Sequence, residues 1–169
     1  MPRKNKKLPR HLLVIRTSAM GDVAMLPHAL RALKEAYPEV KVTVATKSLF
    51  HPFFEGVDVD FLDIEPRRTH RGIRGAIRFA REAAELKIDA VADMHNVLRS
   101  KMVRAALHLR GIPVSVIHKG RIEKYMRLGR GSEGVKPLKH TVIRYCDVFR
   151  RLGFDFPDPR PAEKRPRPN

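Results

Sequence analysis

The strongest constraint on the fold is an alternation of two apolar patterns. Leu12 to Ile15 is a short continuous apolar run without every-other-residue spacing, which suits a strand buried on both faces of a parallel sheet. Directly behind it, Val23, Leu26, Leu30, Leu33 and Tyr37 recur at helical spacing until Pro38 stops the helix. Pro27 falls inside this stretch and predicts that the regular helix starts only near that residue. The pairing then repeats. Val42 to Thr46 reads as a second strand and Val57 to Ile64 contains a third, with a brief helix around Phe50 to Glu55 between them. Ile73, Ile77, Ala80 and Ala84 mark the next helix, Ala90 to Asp93 a fourth strand, and Leu98, Met102, Ala105 and Leu109 the helix after it. Val114 to Ile117 is a fifth strand, Gly129 to Gly134 a glycine-rich loop, and Val142, Tyr145, Phe149 and Leu152 a last helical stripe.

Strands alternating with helices of this length predict an α/β fold, a doubly wound, mainly parallel, Rossmann-like sheet. The 169 residues suffice for one such domain, expected over residues 11–156, with residues 1–10 and 157–169 as basic, proline-containing flexible tails. The lone Cys146 excludes an internal disulfide and a cysteine-rich zinc site, which suggests a reducing compartment. No apolar stretch is long enough for a signal peptide or a spanning helix, so a cytoplasmic location is expected. The chain carries 35 Lys plus Arg against 18 Asp plus Glu, a net charge of +17. Most of it lies between the tails, and a body so basic attracts anionic partners unless its charge merely solvates the surface.

In a doubly wound sheet, ligands gather where the carboxyl ends of the strands lead into helices. After the first strand comes Thr17-Ser18-Ala19-Met20-Gly21-Asp22. It lacks the three glycines of a dinucleotide fingerprint, and no acid follows the second strand to hold a ribose, so a nicotinamide enzyme is not expected. Asp22 can serve as a helix N-cap or as a functional carboxylate, and the loop alone leaves both open. The fourth strand ends in Asp93-Met94-His95-Asn96-Val97-Leu98-Arg99-Ser100, a dense polar turn. Asp93 or Asn96 can cap the next helix and His95 can be structural, while Arg99 can present a planar fork to a phosphate or carboxylate. Arg67, Arg68 and Arg71, followed by Arg74, Arg78 and Arg81, lie in a stretch from 66 to 81 that no acid interrupts. They form a solvated face or a phosphate-binding rim. Histidine spacing and the single cysteine give no metal-site pattern, and there is no nucleophile elbow or Walker loop.

The stretch from Leu12 through Ser18, Met20, Gly21 and Asp22, with Leu30 to Leu33, Tyr37-Pro38, Asp93 to Ser100 and Lys136 to Thr141, resembles the N-terminal half of family 9 glycosyltransferases, the lipopolysaccharide heptosyltransferases. The resemblance covers about residues 11–156 and implies one half of a GT-B architecture. It implies a metal-independent, inverting transferase of lipopolysaccharide core biosynthesis in which Asp22 is the catalytic base. Acceptor contacts are expected from Ser18, Met20, Gly21, Arg67, Arg68, Arg71, Asp93, His95, Asn96 and Arg99. The acceptor is an anionic glycolipid at the inner face of the cytoplasmic membrane, on which the protein is expected to be peripheral. No cofactor is implied; the donor is a nucleotide sugar such as ADP-heptose. His95-Asn96 stands where many relatives carry Gln-Gly, a departure that bears on the acceptor. The chain stops where the donor-binding domain of the family begins, so the resemblance leaves three readings open: an excised domain, a truncated gene product, or one part of a split enzyme with a separate C-terminal donor-binding chain as partner. A basic nucleic-acid-binding module without enzymatic activity also accounts for the charge. The absence of Trp, the three Tyr and the lack of any reader motif speak against it.

Overall fold

In the computed structural model, residues 7–118 and 140–159 are described. Five strands, β1 (His11–Ile15), β2 (Lys41–Thr46), β3 (Asp60–Asp63), β4 (Ala90–Asp93) and β5 (Val114–Val116), form a parallel sheet in the order β3-β2-β1-β4-β5. The helices are α1 (Met20–Ala36), α2 (Gly72–Glu85), α3 (Leu98–His108) and α4 (Thr141–Arg151), with a 3-10 segment at Ser48–Phe54 after β2. The expected doubly wound α/β sheet is therefore present. The expected glycine loop at 129–134 and residues 136–139 lie outside the described residues.

Alternation along the central strands divides the core. Leu12, Val14, Val42, Val44, Ala90 and Ala92 face α1, the 3-10 segment and α4. Leu13, Ile15, Ala45 and Val91 face α2 and α3. This two-sided burial is why β1 is apolar from Leu12 to Ile15 instead of alternating with polar residues. Pro9 is buried, and the Asp89 carboxylate accepts from the N–H groups of Arg10 and His11 at 2.9 and 3.0 Å. At the other end Phe156 is buried and Asp158 pairs with Arg150 at 2.5 Å.

Three sequence expectations need correction. First, α1 does not wait for Pro27: it runs unbroken from Met20, and Val23 N–H donates to Ala19 O at 3.0 Å. Pro27 is buried on the same side as Val23, Leu26 and Leu30, so packing on the sheet offsets the hydrogen bond it removes. Second, α2 does not bury the stripe of Ile73 and Ile77, which are 67% and 48% exposed; it buries Gly75, Ala76, Phe79, Ala80 and Ala83. At 100° per residue the true face lies about a quarter turn away. The loop before the helix fixes this rotation, because His70 lies directly over Gly75. Third, α3 exposes Leu98 and Leu109 and buries Ser100, Val103 and Leu107, nearly the opposite side. Ser100 decides that register: its hydroxyl accepts from Val97 N–H and donates to Val97 O, both at 3.0 Å. Neither Asp93 nor Asn96 occupies the cap position.

α4 packs along α1, and the Tyr145 hydroxyl donates to the Asp22 carbonyl at 3.0 Å. Burial pushes the Tyr145 phenol up to about 12, with Arg16 opposing and Asp22 reinforcing the rise. Burial likewise raises the Cys146 thiol from 9.0 to about 11. Both groups are neutral in the folded state where the unfolded chain already ionises. Their contribution is therefore full below pH 9 and is lost as pH rises, first through the Cys146 range of 9 to 11, then through the Tyr145 range of 10 to 12. Chemical denaturation between pH 8 and 12 is expected to show this two-step alkaline decline, with Cys146→Ala removing its earlier part.

Candidate active site

Strand order reverses between β1 and β4, and the loops leaving these two neighbours meet at the carboxyl edge. Such a switch point opens a crevice. The β1 loop contributes Arg16, Thr17 and Ser18; the Ser18–Ala19 peptide is cis. The β4 loop contributes His95, whose Nδ1 accepts from Thr17 N–H at 3.2 Å and lies 2.9 Å from Thr17 Oγ1. Accepting at Nδ1 leaves the imidazole proton on Nε2, which faces Ser18 Oγ at 3.2 Å. His95 thus pins the two loops together and holds the half-buried Ser18 hydroxyl in place.

Asp22 lies in the first turn of α1, three residues beyond Ala19 at the cap position, and Ala19 makes no side-chain cap bond. The capping role open to Asp22 in the sequence is not the one it takes. Its carboxylate instead accepts from Arg16 Nη2, while Arg16 Nη1 donates to Met94 O. The Arg16 side chain is only 8% exposed and that of Asp22 44% exposed, so a buried cation holds a carboxylate that still reaches solvent. Met20 and Gly21 are exposed beside it at the helix start.

Asp93 is fully buried and has a different task. Oδ1 accepts from the N–H groups of His95 and Asn96 at 2.9 and 2.8 Å, and Oδ2 from Arg104 Nη1 at 3.1 Å. Asn96 sits at φ 48° and its Oδ1 also receives Arg104 at 3.3 Å. Asp93 and Asn96 therefore shape the turn that carries His95.

The arginines form a second centre. Arg67 and Arg68, with Lys47, Ser48, Leu49, Ile64, Glu65 and Pro66, line an open groove of about 350 Å³ at the ends of β2 and β3. Arg99, half-buried at the start of α3, donates to Pro66 O at 3.2 Å and so braces this loop. Arg71 is exposed just before α2. In sheet order the groove is displaced from Asp22 toward the β3 edge, by roughly one to two strand spacings, about 5–10 Å. His70, in the same loop, is structural: Nδ1 accepts from Glu65 N–H at 3.1 Å and Nε2 donates to Glu82 at 2.8 Å. Among the described residues, no group of three or more His, Cys, Asp and Glu is placed to hold a metal ion.

Sequence reasoning missed Arg16, Thr17, Arg104 and Tyr145. A cation directly after a buried apolar strand was a usable signal for Arg16. Tyr145 gave none, since its partner Asp22 is 123 residues away.

No protein-family model and no curated protein sequence matches the chain. Solved structures do. A glycosyl transferase of family 9 from Veillonella parvula superposes with a TM-score of 0.64 at 17% identity, over 90% of this chain and 44% of that one. E. coli heptosyltransferase WaaC, solved with ADP, gives 0.57 at 24% identity over 87% and 49%. E. coli ADP-heptose LPS heptosyltransferase II gives 0.53 at 21% over 94% and 44%. The fold is that of family 9 glycosyltransferases. The chain spans about half the length of these structures, a share that fits the N-terminal half its sequence resembles. Within this family 9 fold, no helix among the described residues is long and apolar enough to cross a membrane.

Proposed function

We propose that this chain is the acceptor-binding half of a heptosyltransferase-like glycosyltransferase of lipopolysaccharide core biosynthesis, with Asp22 as general base. The observation that carries the reading is the Asp22 carboxylate, tied to buried Arg16 yet 44% exposed at the start of the helix that follows β1, beside the strand-order reversal. An acceptor hydroxyl seated there gives its proton to Asp22 as its oxygen bonds to the anomeric carbon of the donor. The nucleoside diphosphate leaves with the electron pair of the broken C–O bond, and attack from the opposite face inverts the centre. Such proton removal contributes roughly 10²–10⁴ in rate. Ser18, backed by His95, hydrogen-bonds the sugar near the attacking oxygen, and Met20 and Gly21 border it. Asp93 and Asn96 position His95. The nucleotide sugar, ADP-heptose by resemblance, is held by a donor-binding half, and the acceptor is an anionic glycolipid whose phosphates lie toward Arg67, Arg68, Arg71 and Arg99.

Mixing the chain with the donor-binding half of a heptosyltransferase should restore ADP release from ADP-heptose plus acceptor, with neither half active alone. Failure of the mixture, when both halves are folded, counts against the assignment. The arginine assignment has its own test in calorimetry with a soluble phosphorylated inner-core acceptor. Arg68→Ala and Arg99→Ala should each weaken binding by about 1.5–3 kcal/mol, as expected for charge-assisted contacts. Arg78→Ala and Arg81→Ala, on the exposed side of α2, should change it by about 0–1 kcal/mol. Equal small losses at all four sites would mean a diffuse basic surface.

A further inference from the structure

The orientation of the Asp22 carboxylate is set from outside its own helix. The main chain that carries it is fixed, because Val23 N–H donates to Ala19 O at 3.0 Å and the buried Tyr145 hydroxyl donates to the Asp22 carbonyl at 3.0 Å. What this leaves free is rotation about the side-chain bonds of Asp22, for which staggered wells compete in a carboxylate that reaches solvent. Arg16 Nη2 meets Oδ2 of that carboxylate. Arg16 is in turn anchored at both ends of its side chain. At the near end its own N–H donates to Ala45 O at 3.1 Å, beyond the last residue of β1. At the far end Nη1 donates to the carbonyl of Met94, a fully buried residue whose N–H donates to Ile15 O at 3.1 Å. The guanidinium is therefore a strut between the end of β4 and the first turn of α1, planar, with one nitrogen for each. A lysine in its place keeps the charge but offers a single nitrogen on a flexible stem.

We infer that Arg16 is a positioning residue for the transfer: braced on the Met94 carbonyl, it selects one rotamer of Asp22 and occupies Oδ2, leaving Oδ1 as the oxygen that receives the acceptor proton. The fork geometry carries this assignment, since charge alone would hold the carboxylate near without fixing its direction. The inference rests on the reading of Asp22 as general base, but the rotamer it assigns belongs to the chain alone and can be observed there without any substrate.

The first test is nuclear magnetic resonance on the isotope-labelled full chain. Three-bond couplings from the Asp22 carboxyl carbon to its own amide nitrogen and carbonyl carbon report which staggered well the side chain occupies. The parent should give the couplings of one rotamer. Arg16→Lys, which keeps the charge, and Arg16→Gln, which does not, should give values averaged over several, read well below the melt of each variant; if the glutamine variant does not fold, the lysine variant decides. Arg31→Gln, on the exposed side of α1, is the control and should keep the single rotamer. The second test is turnover in the mixture with a donor-binding half. Arg16→Lys should lower kcat about 10–10²-fold with the KM for acceptor unchanged, the pattern of a misdirected base and not of a lost binding contact. A single Asp22 rotamer in folded Arg16→Lys would overturn the inference. So would parental kcat in that variant, since charge would then suffice without the fork. An inactive parent mixture would count against the transferase reading and leave the couplings to decide whether Arg16 positions Asp22.

Discussion

Asp22→Asn is expected to lower sugar transfer by roughly 10²–10⁴ in the mixture with a donor-binding half, leaving the melt nearly where it was. The asparagine keeps the size of the side chain and an oxygen that can accept from Arg16 Nη2, but it cannot take a proton at neutral pH. The partner of Arg16 is 44% exposed, and the Met94 carbonyl continues to accept from the same guanidinium, so the stability cost should stay near ~0–1 kcal/mol. A lost helix cap would have cost about 1 kcal/mol, but Asp22 is not the cap of α1. Rate and melt therefore separate the two roles. Activity retained alongside reduced stability would make Asp22 a partner for Arg16 and nothing more.

Among the described glycines, Gly75→Ala should be the most damaging substitution to alanine. A Cβ at this position would lie 2.0 Å from the carbonyl carbon of His70 and 2.5 Å from its Cα and O, all backbone atoms. No rotamer relieves such a contact, so either α2 withdraws or the loop 65–71 lifts. Lifting it would break the bonds His70 makes to Glu65 N–H and Glu82, and would move the groove lined by Arg67 and Arg68. A loss of about 2–4 kcal/mol is expected, the range of overpacked cores and broken buried networks, or roughly 5–15 °C in Tm. Gly21→Ala is the contrast: nothing lies within 4 Å of its Cβ, and in the first turn of a helix alanine is at least as stable. If Gly75→Ala melted with the parent protein, the contact of the loop on α2 would not contribute to stability.

The architecture was legible because buried parallel strands and their crossover helices leave local marks. Leu12 to Ile15 has no polar position, and Ala90 to Asp93 ends where its composition turns polar, so strand order in the chain and the βαβ alternation could be read directly. The loops that carry the candidate site were legible for the same reason, as polar clusters at the carboxyl ends of β1 and β4. Helix rotation was not. In α2 and α3 large apolar residues occur on two sides, and periodicity alone favoured Ile73 and Leu98 over Phe79 and Val103, the ones the core took.

By itself, then, the sequence determined the fold class, the order of elements and the polar loops at the sheet edge, because these follow from hydrophobic patterning over a few residues at a time. Tertiary structure decided which face of α2 is buried, that Asp22 answers to Arg16 instead of capping its helix, and that Asp93 builds a turn while His95 ties two loops together. It also set the arginine groove apart from Asp22 toward the β3 edge. These are contacts between segments distant along the chain, such as Thr17 with His95 and Tyr145 with Asp22, and their geometry exists only once the sheet has brought the segments together.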